Sequence, residues 1–365
     1  MSSRYDIRKA YSDDSERLLE LIRLSPQEGS IKLNFERKPD YFYATHTTTS
    51  DSEVWVMEDT SKNILIAVFS IGKRLVYLNG HKQWVRYGSD LRIHPDYQGG
   101  RMLYRLFQCY KTLVKNDWMQ TVILEENDKS INTVSSGRLS LPNYFPFGRI
   151  ITYSIDCHKN IKSSVFYSVR RASVKDIPLM QEYFNQQAAL KQFYPYCDFS
   201  KIESQDGYYR DMKISDMFLV FNRNELVGMC GAWDQKGFKQ TVFHEYKGMM
   251  KFIRLINNSL RVLIGGIYLP KPGEIGRYLI LHSILVNNNE PKIFESLLSF
   301  IQKQYCHSHS DAMTFGFDER DPLNQACKKL KGFKLFSKQY LASYESDPRL
   351  TLNQDMLFYP EVGRL

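Results

Sequence analysis

At residues 90–107 the chain reads DLRIHPDYQGGRMLYRLF, and the predicted architecture starts from this stretch. Pro95 has no amide hydrogen and pushes His94 toward extended geometry, so we expect a strand to end there. Gly99 and Gly100 permit turn angles and close approach of the backbone to a ligand. A helix is predicted to begin at the glycines, because apolar residues then recur at helical spacing: Met102, Leu103, Leu106, Phe107, Tyr110, Leu113 and Val114.

The first turn of that helix is a candidate anion site. Its first amides have no partner within the helix and carry the positive end of the helix dipole. A diphosphate group fits such a position. A strand, two glycines and a helix also form plain tight turns in many α/β proteins, so both interpretations stay open on this stretch alone.

Two parts of the chain share the same β-α opening. Residues 5–10 read YDIRKA and residues 167–172 read YSVRRA, an offset of 167 − 5 = 162. Each is followed by Ser and Asp capping residues and an apolar helix, and then by a strand-turn-strand unit. Self-similarity at this spacing predicts two copies of one fold, with domains at residues 1–160 and 161–365.

The second copy is predicted to differ from the first in two ways. Leu124–Asp128 is echoed by Phe317–Asp321 at an offset of 317 − 124 = 193, which places an insertion near Gly237–Gly266. Its strand-helix junction reads NNNEP at residues 287–291 and has no glycine. Glu290 would repel a phosphate there, so only the first copy is expected to bind a nucleotide.

The stretch at residues 90–107 resembles the acetyl-CoA-binding motif of the GCN5-related N-acetyltransferases (GNAT). That loop reads Gln or Arg, two residues, Gly, one residue, Gly or Ala. Gln98 matches its first position, whereas Arg101 and Leu103 stand at the glycine positions; a loop one residue shorter would bring Gly100 onto the first of them. The order of elements also resembles this family, which implies an α/β fold with a mixed α+β sheet and two tandem GNAT-like domains, the second degenerate.

The resemblance implies that acetyl-CoA is a cosubstrate bound by the first half. The pantetheine arm would pair with the end of the strand, and the diphosphate would lie on the loop. Asn127 matches a family asparagine that helps to hold the cofactor, although it equally suits the N-cap of the next helix. The implied cofactor-binding residues are Ile93, His94, Gln98, Gly99, Gly100, Arg101, Met102, Leu103 and Asn127.

Two residues are candidates for the chemistry. Acetyl transfer needs a neutral acceptor amine and a donor that protonates the leaving thiolate. Asp90 matches a family position that is often acidic near the acceptor, with a structural carboxylate as the alternative. The family tyrosine that protonates the thiolate is replaced by Val134. Tyr144 is the candidate substitute, with a packed ring as the alternative.

Composition narrows the class of protein. A chain of 365 residues with 43% apolar residues suits two packed domains. We expect a cytoplasmic protein without a membrane partner, because the apolar runs are too short to span a bilayer. The net charge of +9 favours anionic ligands such as CoA, but the cations are dispersed and nucleic acid is not expected. Six cysteines without a CxxC pair predict reduced thiols, and Cys306–His309 is not expected to bind a metal.

Together these features predict an N-acetyltransferase that uses acetyl-CoA to acylate an amine of a small molecule or peptide. The acceptor is not specified, and a homodimer is left open. Two alternatives remain: a catalytically silent acyl-CoA-binding or scaffold protein, and an aminoacyl transferase that takes amino acids from tRNA. Serine-hydrolase elbows, Walker loops and HExxH motifs do not occur in the sequence, which argues against those enzyme classes.

Overall fold

The computed structural model describes residues 4–99, 101–137, 140–157, 161, 166–204, 206–264, 266–305 and 310–365. The helices are α1 Ser15–Leu24, α2 Tyr41–Thr48, α3 Arg101–Val114, α4 Asp128–Val134, α5 Ile177–Ala188, α6 Met250–Ile264 and α7 Pro291–Tyr305. The strands are β1 Tyr5–Lys9, β2 Ile31–Glu36, β3 Glu53–Asp59, β4 Ile64–Leu78, β5 His81–Ile93, β6 Met119–Leu124, β7 Asn143–Asp156, β8 Ser168–Arg171, β9 Tyr194–Pro195, β10 Met217–Asn222, β11 Glu225–Trp233, β12 Gln240–Tyr246, β13 Tyr278–Val286, β14 Ala312–Asp318 and β15 Gly332–Ser343.

One mixed sheet runs through the molecule in the order β1-β3-β4-β5-β6-β15-β7-β14-β13-β11-β10-β8. Its neighbours are antiparallel except at β5–β6 and β13–β14, which are parallel. The same succession of antiparallel strands and one parallel pair therefore approaches the centre of the sheet from both ends. This arrangement is a mixed α/β fold, as the sequence predicts.

The two halves exchange their last strands at the centre of the sheet. β7 closes the first half in chain order but pairs with β14 of the second half, and β15 of the second half pairs with β6 of the first. β7 and β15 also pair with each other. The sheet is thus continuous across the predicted domain boundary, and the limits 1–160 and 161–365 stay a prediction.

The repeated openings form the same local structure in both halves. Arg8 binds Asp14 at 2.7 Å, and Arg170 binds Asp176 at 2.6 Å, each pair separated by six residues. In each case the aspartate also accepts a hydrogen bond from a main-chain amide three residues earlier. The ion pair fastens the first strand to the start of α1 or α5, which explains why this motif recurs in the sequence.

The predicted strand, loop and helix at residues 90–107 are confirmed. β5 ends at Ile93, a short 3₁₀ turn covers Pro95–Tyr97, and α3 begins at Arg101. The predicted insertion in the second half is also present, because β12 and α6 lie between β11 and β13. β12 pairs with β2 of the first half and so joins the two halves a second time.

Helices cover both faces of the sheet in the first half. Val56 and Met57 are neighbours on β3 and therefore point to opposite faces. Val56 packs in the apolar cluster that contains Leu18 of α1, whereas Met57 packs in the cluster that contains Leu106 of α3. α1 and α3 are thus on opposite sides, and α3 follows directly from the end of β5.

The cysteines depart from the prediction at one position. Cys109, Cys197, Cys230 and Cys327 are free, but Cys157 takes part in a disulfide, so the prediction of reduced thiols is wrong there. Cys157 directly follows β7, and its carbonyl accepts a hydrogen bond from Gln302 of α7. Tertiary folding therefore brings sequence-distant segments to this thiol, and sequence spacing gives no sign of it.

Candidate functional site

Strand β5 changes course at Asp90. The φ angle of Asp90 is 57°, in the left-handed region, and Asp90 with Leu91 stands opposite Phe69 alone on β4. This two-against-one arrangement is a β-bulge, which bends a strand and leaves a residue out of the ladder. Within the described residues, pairing of β5 with β6 stops at Tyr87 opposite Gln120. The two parallel strands therefore separate and leave an opening in the sheet.

The end of β5 and the loop after it form one side of this opening. The carbonyl of Ile93 accepts hydrogen bonds from Ser25 Oγ at 3.4 Å and from Gln98 Nε2 at 3.3 Å. The ring of His94 is used locally, because its Nδ1 accepts from the amide of Asp96 at 3.3 Å. These contacts hold the loop against the strand end, and the predicted role of His94 in cofactor binding stays a prediction.

The glycine loop is open where a ligand would approach. Gly99 has a φ angle of 100°, and a Cβ atom at this position would meet nothing within 4 Å. Gly100, the second predicted glycine, lies outside the described residues. The open space and the left-handed angle together agree with a loop whose backbone can come close to a bound group.

Helix α3 presents its first turn to this loop. Arg101 is exposed, whereas Met102 and Leu103 pack against the apolar core, so the last two contribute main-chain amides rather than side chains. Lys129 of α4 donates a hydrogen bond to Gln98 Oε1 and places a cation beside the loop. Sequence analysis missed Lys129; its position two residues after Asn127 is the signal that points to it.

Asn127 caps α4. Its Oδ1 atom accepts a hydrogen bond from the amide of Ser130 at 3.1 Å. The capping interpretation is therefore confirmed. Its role in holding a cofactor stays a prediction.

The carboxylate of Asp90 is held in a buried ion pair. Asp90 Oδ2 lies 2.5 Å from Arg37 Nη2 and accepts a hydrogen bond from the Tyr41 hydroxyl at 3.2 Å. The side chain of Arg37 is only 5% exposed and that of Asp90 12%. These contacts are those of a structural carboxylate at the bulge, and the catalytic role of Asp90 stays a prediction.

Two buried arginine donors near Asp90 are candidates for binding a ligand. The Nε atoms of Arg37 and Arg92 have no hydrogen-bond partner within the described part of the chain. A buried donor without a partner costs free energy, so such groups usually have a ligand or water to bind. The oxygen of a carbonyl or carboxylate at the bulge would satisfy them.

The second half contributes a lysine near Arg37 and Asp90. Lys239, just before β12, donates a hydrogen bond from Nζ to the main-chain oxygen of Leu365 at 2.5 Å. Burial and, after it, the neighbouring charge of Arg37 lower the pKa of Lys239 to about 7, against the opposing effect of the Asp90 carboxylate. A lysine in this state is neutral over much of the physiological range and can accept a proton. Nothing in the sequence near Lys239 identifies it.

Tyr144 lies at the closed end of the opening. On β7 it stands opposite Ala342, which in turn stands opposite Met119 at the start of β6. Its ring packs edge-to-face on Tyr340 with centroids 6.1 Å apart, and burial raises the pKa of its hydroxyl. These are the contacts of a packed ring. The predicted role of Tyr144 as proton donor stays a prediction.

The second half has a matching bulge and a matching opening. Ser283 on β13 has a φ angle of 51°, and 283 − 90 = 193, the offset found between the later motifs. Within the described residues, pairing of β13 with β14 stops at Ile280 opposite Thr314. The geometry that parts the strands is thus present twice.

The chain itself occupies this second opening. Tyr359 accepts a hydrogen bond at its hydroxyl from the amide of Ile284 at 3.1 Å, and Glu361 Oε2 accepts from the amide of Ser283 at 2.9 Å. A Cβ atom on Gly316 would lie 2.6 Å from Val362. Residues 358–365, called the C-terminal plug below, therefore fill the space between β13 and β14.

The start of α7, the helix after the second bulge, has no room for a bound anion. Glu290 Oε1 accepts a hydrogen bond from the amide of Lys292 in the first turn of α7, at 3.3 Å. A carboxylate already lies where a phosphate would bind, as the sequence predicts. The second half is a degenerate copy, and the first half holds the remaining candidate site.

Comparison with known proteins bears on the fold. No family model matches the chain, and no curated protein sequence matches it significantly. A GCN5-related N-acetyltransferase from Sphaerobacter thermophilus is similar at 10% identity, over 95% of this chain and 98% of that one, with a TM-score of 0.53. N-myristoyltransferase of Saccharomyces cerevisiae, solved with bound myristoyl-CoA, is similar at 8% identity, over 98% and 84%, with a TM-score of 0.59.

A GCN5-related glucosamine N-acetyltransferase region of a fungal multi-domain β-N-acetylglucosaminidase is similar at 9% identity, over 93% of this chain and 38% of that one, with a TM-score of 0.60. At such identities a likeness shows the fold. The chain has the fold shared by the GCN5-related N-acetyltransferases and the N-myristoyltransferases, which confirms the resemblance found in its glycine loop and repeat.

The described residues contain neither a membrane-spanning helix nor a metal-binding cluster. No helix there is long and apolar enough to cross a membrane. No group of three or more His, Cys, Asp and Glu residues there is arranged to hold a metal ion. The cluster Cys306–His309 lies outside the described residues.

Proposed function

We propose that the chain is an N-acyltransferase that binds acetyl-CoA in its first half and acetylates an amine. The observation that carries this proposal is the bulge at Asp90, which parts β5 from β6 in front of the open loop at Gly99 and the start of α3. The matching opening in the second half is filled by the C-terminal plug. The fold likeness to an enzyme solved with myristoyl-CoA supports an acyl-CoA donor.

Each part of the donor has a place in this opening. The part of β5 beyond Tyr87 does not pair with β6 in the described residues, and it offers main-chain groups to the amides of the pantetheine arm. Ser25 and Gln98 would have to release the carbonyl of Ile93. The amides at the start of α3, with Lys129 beside them, suit the diphosphate. The thioester carbonyl would then lie near the bulge, where unpaired donors such as Arg92 Nε polarise it.

The transfer step requires two proton movements. The neutral amine attacks the thioester carbonyl and forms a carbon–nitrogen bond. The carbon–sulfur bond then breaks, the attacking nitrogen loses one proton, and the leaving thiolate gains one. We propose that Lys239 accepts the proton of the acceptor ammonium, since it is neutral above pH of about 7 and lies beside Arg37 and Asp90. Tyr144 remains the candidate donor to the thiolate.

We expect the pH profile to test Lys239. A base with a lowered pKa is active when unprotonated, so kcat/KM should rise with pH and level off above about 7. Lys239→Met should lower kcat/KM by about 100-fold and remove this rise. The exposed Lys328→Met is the matched control. A Lys239→Met enzyme that keeps the rise, with unchanged affinity for CoA, would exclude Lys239 as the base.

Calorimetry with acetyl-CoA and CoA tests the proposed cofactor site. We expect one molecule to bind per chain rather than two, because the second opening is occupied. Lys129→Ala should weaken binding by about fivefold through loss of one cation near the diphosphate, whereas Lys328→Ala should not. Binding of two molecules, or no binding of either ligand, would contradict the site.

The two alternative functions predict different results in binding and activity experiments. Binding of acetyl-CoA without turnover of any amine in a panel would favour a silent acyl-CoA-binding protein, a role that suits an Asp90 already paired with Arg37. Binding of tRNA that weakens steeply with salt, without binding of CoA, would favour an aminoacyl transferase.

A further inference from the structure

Helix α6 is attached to the protein by its polar side. Asn257 Nδ2 donates a hydrogen bond to the carbonyl of Ile267 at 2.8 Å. Asn258 Nδ2 donates to the carbonyl of Leu269 at 2.8 Å, and its Oδ1 accepts from the amide of the same residue at 3.0 Å. Two cations also turn inward: Arg254 lies over the ring of Tyr246 and Arg261 over the ring of Tyr268. Amides and guanidinium groups thus hold the helix in place.

The apolar side of α6 faces away from the protein. Surface helices normally bury this side, and here the orientation is reversed. Seven large apolar side chains in and beside the helix are between 40% and 82% exposed: Met249, Phe252, Ile253, Leu255, Ile256, Leu260 and Leu263. A contiguous apolar patch of this kind on a surface indicates an interaction site.

The charges of the helix define the chemistry of the partner. Residues 249–264 contain no acidic residue; Lys251 is exposed, whereas Arg254 and Arg261 lie on the protein side of the helix over Tyr246 and Tyr268. The chain as a whole carries a net charge of +9. A basic helix with bulky aliphatic and aromatic side chains on one side is typical of a segment that lies in the interface of an anionic bilayer.

The size and shape of the patch argue against a second copy as its partner. A helix of 15 residues is about 22 Å long and presents a single narrow ridge. A stable protein interface needs about 800 Å² from each partner, which one helix ridge does not supply. The same length is too short to cross a hydrocarbon core of about 30 Å, so α6 would lie on a membrane rather than span it.

We propose that α6 binds the surface of anionic lipid bilayers, with its exposed apolar side chains inserted at the boundary of headgroups and acyl chains. This inference is independent of the proposed enzymatic activity. It departs from the expectation of no membrane partner, which rested on the shortness of apolar runs in the sequence. A helix that binds in the plane of a membrane needs no such run.

Vesicle sedimentation with the full chain tests the proposal. We expect binding to vesicles of 70% phosphatidylcholine and 30% phosphatidylglycerol, and much weaker binding to pure phosphatidylcholine. Leu263→Asp and Phe252→Asp should each reduce the partition coefficient at least about tenfold, because each removes an anchor and adds a repelled charge. Leu350→Asp alters an equally exposed leucine elsewhere and should leave binding unchanged.

Two outcomes would overturn the proposal. Wild-type protein that does not sediment with the phosphatidylglycerol vesicles excludes a membrane role, as does equal loss of binding in Leu350→Asp and Leu263→Asp. A dimer in light scattering that becomes a monomer in Leu263→Asp, without vesicle binding by the wild type, would identify the patch as a contact between copies. We expect each variant to fold, because the altered side chains are exposed, and circular dichroism checks this.

Discussion

Asp90→Asn is expected to lower the free energy of unfolding by about 3 kcal/mol and to remove most acyl-transfer activity. The variant leaves Arg37 buried without its carboxylate, and an uncompensated buried charge is strongly destabilising. Asparagine adopts left-handed angles readily, so the bulge at a φ angle of 57° is kept and only the charge is lost. Urea denaturation measures the first effect and steady-state kinetics the second.

A double variant separates stability from catalysis. Asp90→Asn with Arg37→Met removes both charges, and we expect it to recover most of the lost stability, because an apolar replacement of a buried pair is often neutral. Low activity in the double variant would show that the reaction needs Asp90 or the Arg37 donor beside it. Recovery of activity with stability would show that Asp90 only positions the bulge. Unchanged stability in Asp90→Asn itself would show that the pair contributes nothing.

The sequence was informative wherever structure follows from neighbouring residues. Pro95 and the glycines after it mark the end of β5 and the start of α3, because they restrict or free the backbone locally. The two copies could be predicted because the repeated opening is a local motif. Arg8 interacts with Asp14 across only six residues, and Arg170 interacts with Asp176 across the same distance in sequence. Glu290 likewise lies directly before α7, the helix whose anion site it occupies.

Features that depend on distant segments could not be predicted in the same way. Exchange of β7 and β15 joins strands from opposite halves of the chain, and no periodic pattern identifies a strand's partner. The charges of Arg37 and Asp90 act on Lys239 only because β12, which follows Lys239, pairs with β2. The orientation of α6 was equally hidden, because an amphipathic pattern does not show which side faces the protein.

The C-terminal plug predicts a pH dependence of stability. Glu361 is buried between β13 and the rest of the plug, and burial raises its pKa from 4.5 to about 7. A carboxyl whose pKa is raised on folding stabilises the protein fully below pH 4.5, and this contribution is lost as pH rises through about 7. The difference of about 2.5 pH units corresponds to about 3 kcal/mol.

Glu361→Gln should therefore remove the decline in stability between pH 4.5 and about 7 that Glu361 causes. A neutral amide keeps an oxygen for the amide of Ser283 and cannot ionise, so the variant should be more stable than the wild type at pH 8 and similar to it at pH 4.5. Urea denaturation across this range measures the effect, and the exposed Glu345→Gln is the control. A variant whose profile of stability against pH parallels that of the wild type would contradict this prediction. Glu361 would then ionise as freely in the folded protein as in the unfolded chain, and water, rather than the plug, would fill the second opening.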